Sequence, residues 1–452
     1  MRLKIGLNYI FDSLSLIKPL WYFHLHSKNN PIWPDPNSIG YPLNLGNKYY
    51  SGRSANLEAS FLLLTKGWIK RVNNYEHLPN TTIKQNSIID EFIFIRRHFN
   101  PMWSLLYCFY CLITFKNPMK VFFAFIKTSS VKRESNLLNN IGNKYRSDNN
   151  GLELIKMKAH VRVIIPTFNR YDVLHNLLKD LEKQDYPYFS ITIIDQSCPF
   201  KIEFYDNYDL KIKIIRQEEP KLWRARNQAI RDSKEEIIAL LDDDSRLKEN
   251  WIFMHLHCLN FYNADISAGV SISTVGAKVP ENYSYFRIAD QLDTGNTMIY
   301  RKVFKSCGLF DEQFEGMRMG DAEFGLRTYI AGFLSISNPD AKRSHLKINK
   351  GGLRQMGSWD ALRPTKIIHP RPIPSVLYFS RRYFGIKATI KYLLINIPFS
   401  LTNYNKKGRP LNLLLSFCLF IIFFPLVMYQ IIWSWKISGD MLRAGPKIPK
   451  FE

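Results

Sequence analysis

The chain has 452 residues, 46% hydrophobic and 22% charged, which suits a globular protein of two or three domains and excludes a disordered or collagen-like chain. Its formal net charge is +23, unevenly placed: residues 1–150 carry 19 basic and 8 acidic side chains, residues 151–360 carry 29 of each, and residues 361–452 carry 14 and 2. The basic flanks also hold the longest Phe/Leu/Ile runs, a pairing that points to an anionic membrane surface as partner and away from nucleic acid. Six scattered cysteines are too few for a disulfide scaffold and fit a reducing compartment. The opening MRLKIGLNYIFDSLSLIK has an apolar stretch broken by Asn8 and Asp12 and no small-residue cleavage site, so no signal peptide is expected.

In chain order, residues 1–155 form a mainly helical N-terminal region of unassigned function. A Trp/Pro/Asn/Gly-rich loop is expected over Asn29–Arg53, then helices near Leu57–Val72 and Ser87–Phe99. Met102–Phe115 gives fourteen uncharged residues, Lys116-Asn117-Pro118 interrupts, and Val121–Ile126 resumes the apolar pattern. That is short of the roughly 20 residues a helical span needs, so 102–126 reads as interfacial or re-entrant, with a buried core helix as the alternative. Cys108 and Cys111 lie inside this run and read as packing residues. Lys127–Asn150 reads as a polar linker.

Residues 156–360 alternate strand and helix. Strands are predicted at Val161–Pro166, Ile191–Ile194, Ile212–Ile215 and Ile237–Leu241, and helices at Asp172–Gln184 and Leu222–Ser233. This order predicts an α/β domain with a mostly parallel sheet flanked by helices. Residues 361–452 form a basic region for membrane association. Arg381–Leu401 is amphipathic, and Leu411–Trp435 is 25 residues without charge, interrupted by Pro425. Its length suffices to cross a bilayer, and a kinked re-entrant hairpin explains its basic flanks equally well.

In a parallel sheet, ligands bind beyond the carboxyl ends of the strands, so the residues just after each strand carry the chemistry. Asp242-Asp243-Asp244 follows the fourth strand directly. Three adjacent carboxylates raise each other's proton affinity, and Mg²⁺ or Mn²⁺ held by Asp242 and Asp244 relieves the conflict; a solvated acidic turn is the plainer reading. Pro166, Thr167, Asn169 and Arg170 end the first strand and open a helix, where N–H groups and a guanidinium can meet phosphate. Asp195 ends the second strand, placed either to accept a bond from a base or ribose or to cap a turn. Arg224 and Arg226 lie on the helix LWRARNQAI. Asp321 and Glu323 open a helix after GMRMG, as a general base or as carboxylates at a helix N-terminus. His345 is a candidate third metal ligand or a structural histidine.

The ordered set VIIPTFNR, YPYFSITIIDQS, ARNQAI, IIALLDDDS, TGNTMIYRKVFKSCGLFDE and GDAEFGLR resembles the family-two glycosyltransferases, over roughly Val161–Gly332 and on toward His345. The resemblance implies a glycosyltransferase A (Rossmann-like) fold and inverting transfer from a nucleotide sugar. It implies that Thr167, Asn169, Arg170 and Asp195 contact the nucleotide, with Asp195 on the base, and that Arg226 supports the diphosphate pocket. Asp242 and Asp244 match the family's D-x-D, Asp244 as direct metal ligand, and Asp243 touches the donor ribose or sugar. Asp321 matches the catalytic base, with Glu323 as the fallback. Three positions depart from the pattern: Gln196 stands where a second acid is common, Glu219-Pro220-Lys221 where a glycine is common, and Gly320 where the Glu of an E-D pair is expected. The Q-x-x-R-W motif of processive synthases is absent, since Gln355 and Trp359 have the wrong spacing, which favours transfer of one sugar per acceptor.

The expectation is therefore a membrane-associated, divalent-cation-dependent glycosyltransferase on the cytoplasmic face. It moves one sugar to a glycan or lipid-linked acceptor in surface-polysaccharide or glycolipid assembly. Two other readings stay open: a membrane-tethered binding protein that has lost activity, suggested by Gln196 and Gly320, and a sugar nucleotidyltransferase, against which the missing Gly-rich, Lys-bearing loop stands.

Overall fold

The computed structural model describes residues 10–18, 49–65, 67, 69, 86–134, 152–273, 283–289, 291–348, 352–353, 361–403 and 410–451. Most of the loop expected over Asn29–Arg53, the end of the Leu57–Val72 helix, most of the 127–150 linker, and Gln355 and Trp359 lie outside these residues. The chain divides into two compact units, Met1–Arg146 with Tyr383–Ile395, and Ser147–Arg382 with Asn396–Glu452.

The first unit is helical: α1 Leu14–Ile17, α2 Gly52–Thr65, α3 Ile88–His98, α4 Met102–Ile113 and α5 Pro118–Lys127. Ser87 caps α3 by accepting from the Asp90 N–H, with Asp90 and Glu91 in its first turn and Arg96, Arg97 and His98 in its last. Both ends thus complement the helix dipole. Asn117 caps α5 and Pro118 follows at its first position, where no N–H is needed. The apolar run, expected to be interrupted at Lys116-Asn117-Pro118, is a helical hairpin with its turn there, carrying Phe115 in the left-handed region (φ 57°). The inner faces of α3, α4 and α5 bury Phe92, Ile95, Tyr107, Cys111, Val121 and Ala124. Under α2, Glu58 meets Arg97 at 2.6 Å and His98 at 2.7 Å, all essentially buried. Burial of Glu58 pushes its carboxyl upward, but His98 and Arg97 outweigh that and hold it below its ordinary value.

The second unit opens with α6 Glu153–Lys156 and is built on one sheet: β1 Val161–Thr167, β2 Phe189–Asp195, β3 Ile212–Arg216, β4 Ile237–Leu241, β5 Ser245–Leu247, β6 Ile266–Ser273, β7 Arg287–Ile288, β8 Asn296–Tyr300 and β9 Ser335–His345. Strand order is β3-β2-β1-β4-β8-β6-β9-β5, with β7 on β9. The half β3-β2-β1-β4 is parallel, as expected; β8 enters antiparallel to β4, and the sheet is mixed from there on. All five residues of β4 are buried, the continuous apolar run of a strand covered on both faces. The covering helices are α7 Tyr171–Glu182, α8 Leu222–Asp232, α9 Trp251–Phe261, α10 Arg301–Cys307 and α11 Gly320–Ile330. On α7, Leu174, Leu177, Leu178 and Leu181 are buried at helical spacing.

The amphipathic stretch 381–401 is two helices, α12 Pro374–Tyr383 and α13 Gly385–Asn396, parted at Gly385 (φ 83°). Most of α13 belongs to the first unit. The uncharged run 411–435 breaks at Phe423 into α14 Pro410–Ile422 and α15 Phe424–Ala444, bent by 86°. Among the described residues no single helix is long and apolar enough to cross a membrane; the bent pair is, by length and composition. Within the second unit, α12, α15 and the tail pack on the loop before α11. Tyr378 and Arg382 both donate to Asp311, and Gln313 donates to the Met441 carbonyl at 2.9 Å.

Candidate active site at the strand ends

The parallel half of the sheet opens a crevice where β1 and β4 part. Their pairing runs only from Val161–Ile237 to Ile164–Leu240, and β1 continues beyond it along β2 alone. Pro166, buried, sits in that continuation, where β1 has no strand on the β4 side to ask for its missing N–H. Thr167 ends β1 and Asn169 and Arg170 follow it, Asp195 ends β2, and the acidic run follows β4, so the topology brings these residues to one edge.

The acidic run is bracketed by arginines. Arg170 reaches Asp243 at 3.1 Å and Asp244 at 3.4 Å, and Thr167 donates to Asp243 at 2.9 Å. Asp243, expected at the donor ribose or sugar, is held by Thr167 and Arg170. Burial pushes its carboxyl up to about 6, against the pull of Arg170 and with a further push from Asp244. Asp242 accepts from two fully buried arginines, Arg226 on Oδ1 at 2.6 Å and Arg343 on Oδ2 at 3.2 Å. Arg343 also donates to Ser271, Ser245 and Asp293. Burial pushes the Asp293 carboxyl upward, and Arg343 outweighs this and holds it below its usual value.

His345 ends β9 opposite Ser245 of β5, and the Leu346 N–H donates to the Asp244 carbonyl at 3.0 Å. This register sets His345 Nε2 3.3 Å from Asp244 Oδ2. Asp242, Asp244 and His345 each offer a ligand atom, all within 4.8 Å of one another. Two carboxylates and an imidazole suit Mn²⁺ and related divalent cations. The charge agrees: Asp242, Asp243, Asp244 and Asp293 gather around Arg170, Arg226 and Arg343, an acidic cluster of the kind a divalent cation neutralises.

Arg226, expected to support the diphosphate pocket, lies behind the acidic run. It is fully buried and donates to Thr294 Oγ1 at 2.7 Å and the Thr294 carbonyl at 3.0 Å. Thr294 in turn donates to Asp321 Oδ1. One arginine therefore links the metal-ligand end of the site to Asp321, which opens α11. Glu323 is not beside Asp321. It is 1% exposed and bound to Arg327 at 2.9 Å, with Arg382 3.5 Å away, in an inward-facing ion pair.

Asp195, expected to contact the base, has its partners within the chain. Its fully buried carboxylate accepts from the Tyr171 and Tyr205 hydroxyls, both at 2.7 Å, and from the Ser197 N–H at 2.8 Å. Burial first and Asp195 second push Tyr171 up to about 12. Asn169 adopts the left-handed region (φ 54°), donates through its N–H to Ser197 and accepts from the Cys198 N–H, tying the β1 and β2 loops together. Gln196 accepts from the Lys221 N–H, a bond no carboxylate is needed to make. At Gly320, a Cβ would lie 2.3 Å from the Trp223 ring, so Trp223 excludes the family's glutamate.

Sequence reasoning missed Asp293, Thr294 and Arg343. The signal for Arg343 was its place two residues before His345: alternate strand residues share a face, and Ala341, Arg343 and His345 are buried between exposed Lys342 and Ser344. The signal for Asp293 and Thr294 was their position just before the strand NTMIY.

Residues 162–322 match the model of glycosyl transferase family 2. The chain is 24% identical over 239 residues to a chondroitin synthase of Pasteurella multocida (strain Pm70), across 42% of this chain, and it spans about a quarter (25%) of that relative's length. Among solved structures it is similar to S. aureus TarS 1-349 in complex with UDP-GlcNAc (17% identity, TM-score 0.41, 63% of this chain and 92% of that one). It is also similar to the mannosyltransferase PcManGT from Pyrobaculum calidifontis in complex with GDP-Man and Mn²⁺ (13% identity, TM-score 0.38, 62% of this chain and 86% of that one).

Proposed function

We propose that this chain, which resembles the family-two glycosyltransferases over residues 162–322, is an inverting, divalent-cation-dependent glycosyltransferase. It moves one sugar from a nucleotide sugar to a hydroxyl of a glycan or lipid-linked acceptor at the cytoplasmic face of a membrane, in surface-polysaccharide or glycolipid assembly. The observation that carries this reading is the joining of the Asp242–Asp244–His345 cluster to Asp321 through Arg226 and Thr294.

Asp244 and His345, with Asp242, hold the cation, Mn²⁺ or Mg²⁺. Bound there, the cation supplies positive charge against the departing nucleoside diphosphate. Asp321 takes the proton of the acceptor hydroxyl as that oxygen attacks the anomeric carbon. Thr294 and Arg226 fix the Asp321 carboxylate before the acceptor arrives, which lowers the cost of orienting it. Arg170, between Asp243 and Asp244, offers a further positive group at the rim of the crevice. Local packing accounts for Gln196 and Gly320, so neither implies lost activity. The partial likeness to a chondroitin synthase favours a glycan acceptor. The exposed apolar residues of the α14–α15 elbow, among them Leu411, Leu414, Ile421, Ile422 and Phe424, support attachment to a membrane.

The test is release of nucleoside diphosphate from a panel of nucleotide sugars by detergent-solubilised protein with a lipid extract, in Mn²⁺, Mg²⁺ or EDTA. Metal-dependent release from one donor, lost in Asp244→Ala and Asp321→Ala, is the expected result. Folded protein that neither binds nor turns over any nucleotide sugar in Mn²⁺ overturns the reading.

A further inference from the structure

The first unit inverts the usual order of a helical hairpin. On α4, Met102, Leu105, Leu106, Phe109 and Ile113 stand exposed at helical spacing, and on α5 Met119, Phe122, Phe123 and Ile126 do the same. Phe115, at the turn between them, is 96% exposed. The opposite face of the same hairpin is already satisfied, with Tyr107, Cys111, Val121 and Ala124 buried against α3. The outer face is therefore a second apolar face with no partner among the described residues of its own unit, where single exposed apolar residues are the norm and a contiguous set is not.

Charge says what covers it. No acidic residue occurs from Phe99 to Arg133, and the hairpin is fringed by Lys116, Lys120, Lys127, Lys132 and Arg133. Lys116 is partly neutralised by Asp12 at 2.7 Å; Lys120, Lys132 and Arg133 are exposed. In the same unit α13 shows Ile386, Ile390 and Leu394 exposed at one-turn spacing with exposed Lys387 beside them, and Lys391 ties α13 to α1 through Ser15 at 2.7 Å. A phenylalanine-rich face fringed by Lys120, Lys132 and Arg133 matches the acyl chains and anionic headgroups of a bilayer. A second copy docked face to face would set lysine against lysine.

We propose that the α4–α5 hairpin of the first unit is an interfacial lipid-docking surface that inserts Phe109, Phe115 and Phe122 among the headgroups of an anionic membrane. The proposal deepens the membrane association proposed above by naming a surface outside the family-matched residues. It does not depend on the elbow of α14 and α15.

The experiment is flotation of the full chain with vesicles of equal parts phosphatidylglycerol and phosphatidylcholine, and with phosphatidylcholine alone. It uses a background in which the elbow carries Leu414→Ser, Ile421→Ser and Phe424→Ser. Adding Phe109→Ser, Phe115→Ser and Phe122→Ser is expected to lower the floated fraction at least tenfold. Lys120→Glu with Lys132→Glu is expected to abolish the preference for phosphatidylglycerol. These residues are exposed and outside the catalytic crevice, so unfolding midpoint and donor turnover in detergent stay unchanged and report that the variants are folded. Flotation of the serine triple variant equal to its background overturns the proposal while leaving membrane association standing. Failure of the unmodified chain to float overturns both. Loss of self-association without loss of flotation assigns the face to a second copy and overturns it too.

Discussion

Gly295 is the point at which a single methyl group tests the site most directly. A Cβ there would lie 2.2 Å from Asp242 Oδ2 and 2.5 Å from each terminal nitrogen of Arg343. Ordinary contact begins near 3.4 Å, so the shortfall is about 1 Å on both partners. Neither partner has room to retreat. Arg343 is fixed by Ser271, Ser245 and Asp293, and the other oxygen of Asp242 by Arg226. Overpacking of this kind costs about 1–3 kcal/mol, and forcing apart a buried ion pair costs about 3–5 kcal/mol. Gly295→Ala should therefore lose about 3 kcal/mol and, because Asp242 moves, its metal-dependent turnover. The assay is denaturant unfolding at unchanged slope, beside Mn²⁺ binding and donor turnover. Gly52→Ala is the control: it opens α2 with nothing within 4 Å of the new Cβ, and it should be neutral or stabilising by about 0.5 kcal/mol. A Gly295→Ala protein within about 0.5 kcal/mol of the parent and fully active refutes the packing argument.

Gly320→Glu, which restores the family's residue, should lower activity and stability, because the new side chain meets Trp223; gain of activity would contradict this. Glu323→Gln should destabilise the fold by about 1–3 kcal/mol while leaving the Mn²⁺ requirement intact, whereas Asp321→Asn should abolish turnover with little change in unfolding midpoint. His255 is fully buried, and burial lowers its pKa from 6.5 to about 4 despite bonds to Asn296 and Ser267. The folded state keeps it neutral while the unfolded chain protonates below about pH 6.5. Its contribution is therefore intact above that pH and is lost as pH falls toward 4, by up to about 1.4 kcal/mol per unit and about 3 kcal/mol in all. His255→Gln should flatten that part of the pH dependence of unfolding; an unchanged slope would place the burial penalty elsewhere.

The parallel half of the sheet was legible because β1, β2 and β4 are buried on both faces and so read as continuous apolar runs ending in polar residues. Asp242, Asp244 and Asp321 were legible for the same reason: each sits directly at a strand end or a helix start. What sequence reasoning lost were contacts between segments far apart. Arg343 meets Asp242 across 101 positions and Asp293 across 50, and nothing local in KRSH announces either contact. Glu323 stood as the fallback to Asp321 because both open one helix. Two residues along a helix turn the side chain to another face, where Arg327 one turn on and Arg382 from α12 bind it. The apolar hairpin of the first unit was read correctly as too short to span, but the period alone could not reveal that both of its faces are apolar.

The clamp on Asp242 explains why the acidic run can persist at a strand end. Like charges placed side by side destabilise one another, and burial adds to that, as the upward shift of Asp243 records. Arg226 and Arg343 each take one oxygen of Asp242, so its orientation is set from behind and Asp244 and His345 are left to define the front of the cluster. Because Arg226 simultaneously holds Thr294, and Thr294 holds Asp321, the placement of Asp242 relative to Asp321 is fixed by one rigid guanidinium. A lysine at 226 keeps the charge but cannot hold Asp242 and both oxygens of Thr294 in that planar geometry. Arg226→Lys separates the two ends of the site without removing either, and its loss of turnover at retained Mn²⁺ binding measures how much of the rate comes from holding them together.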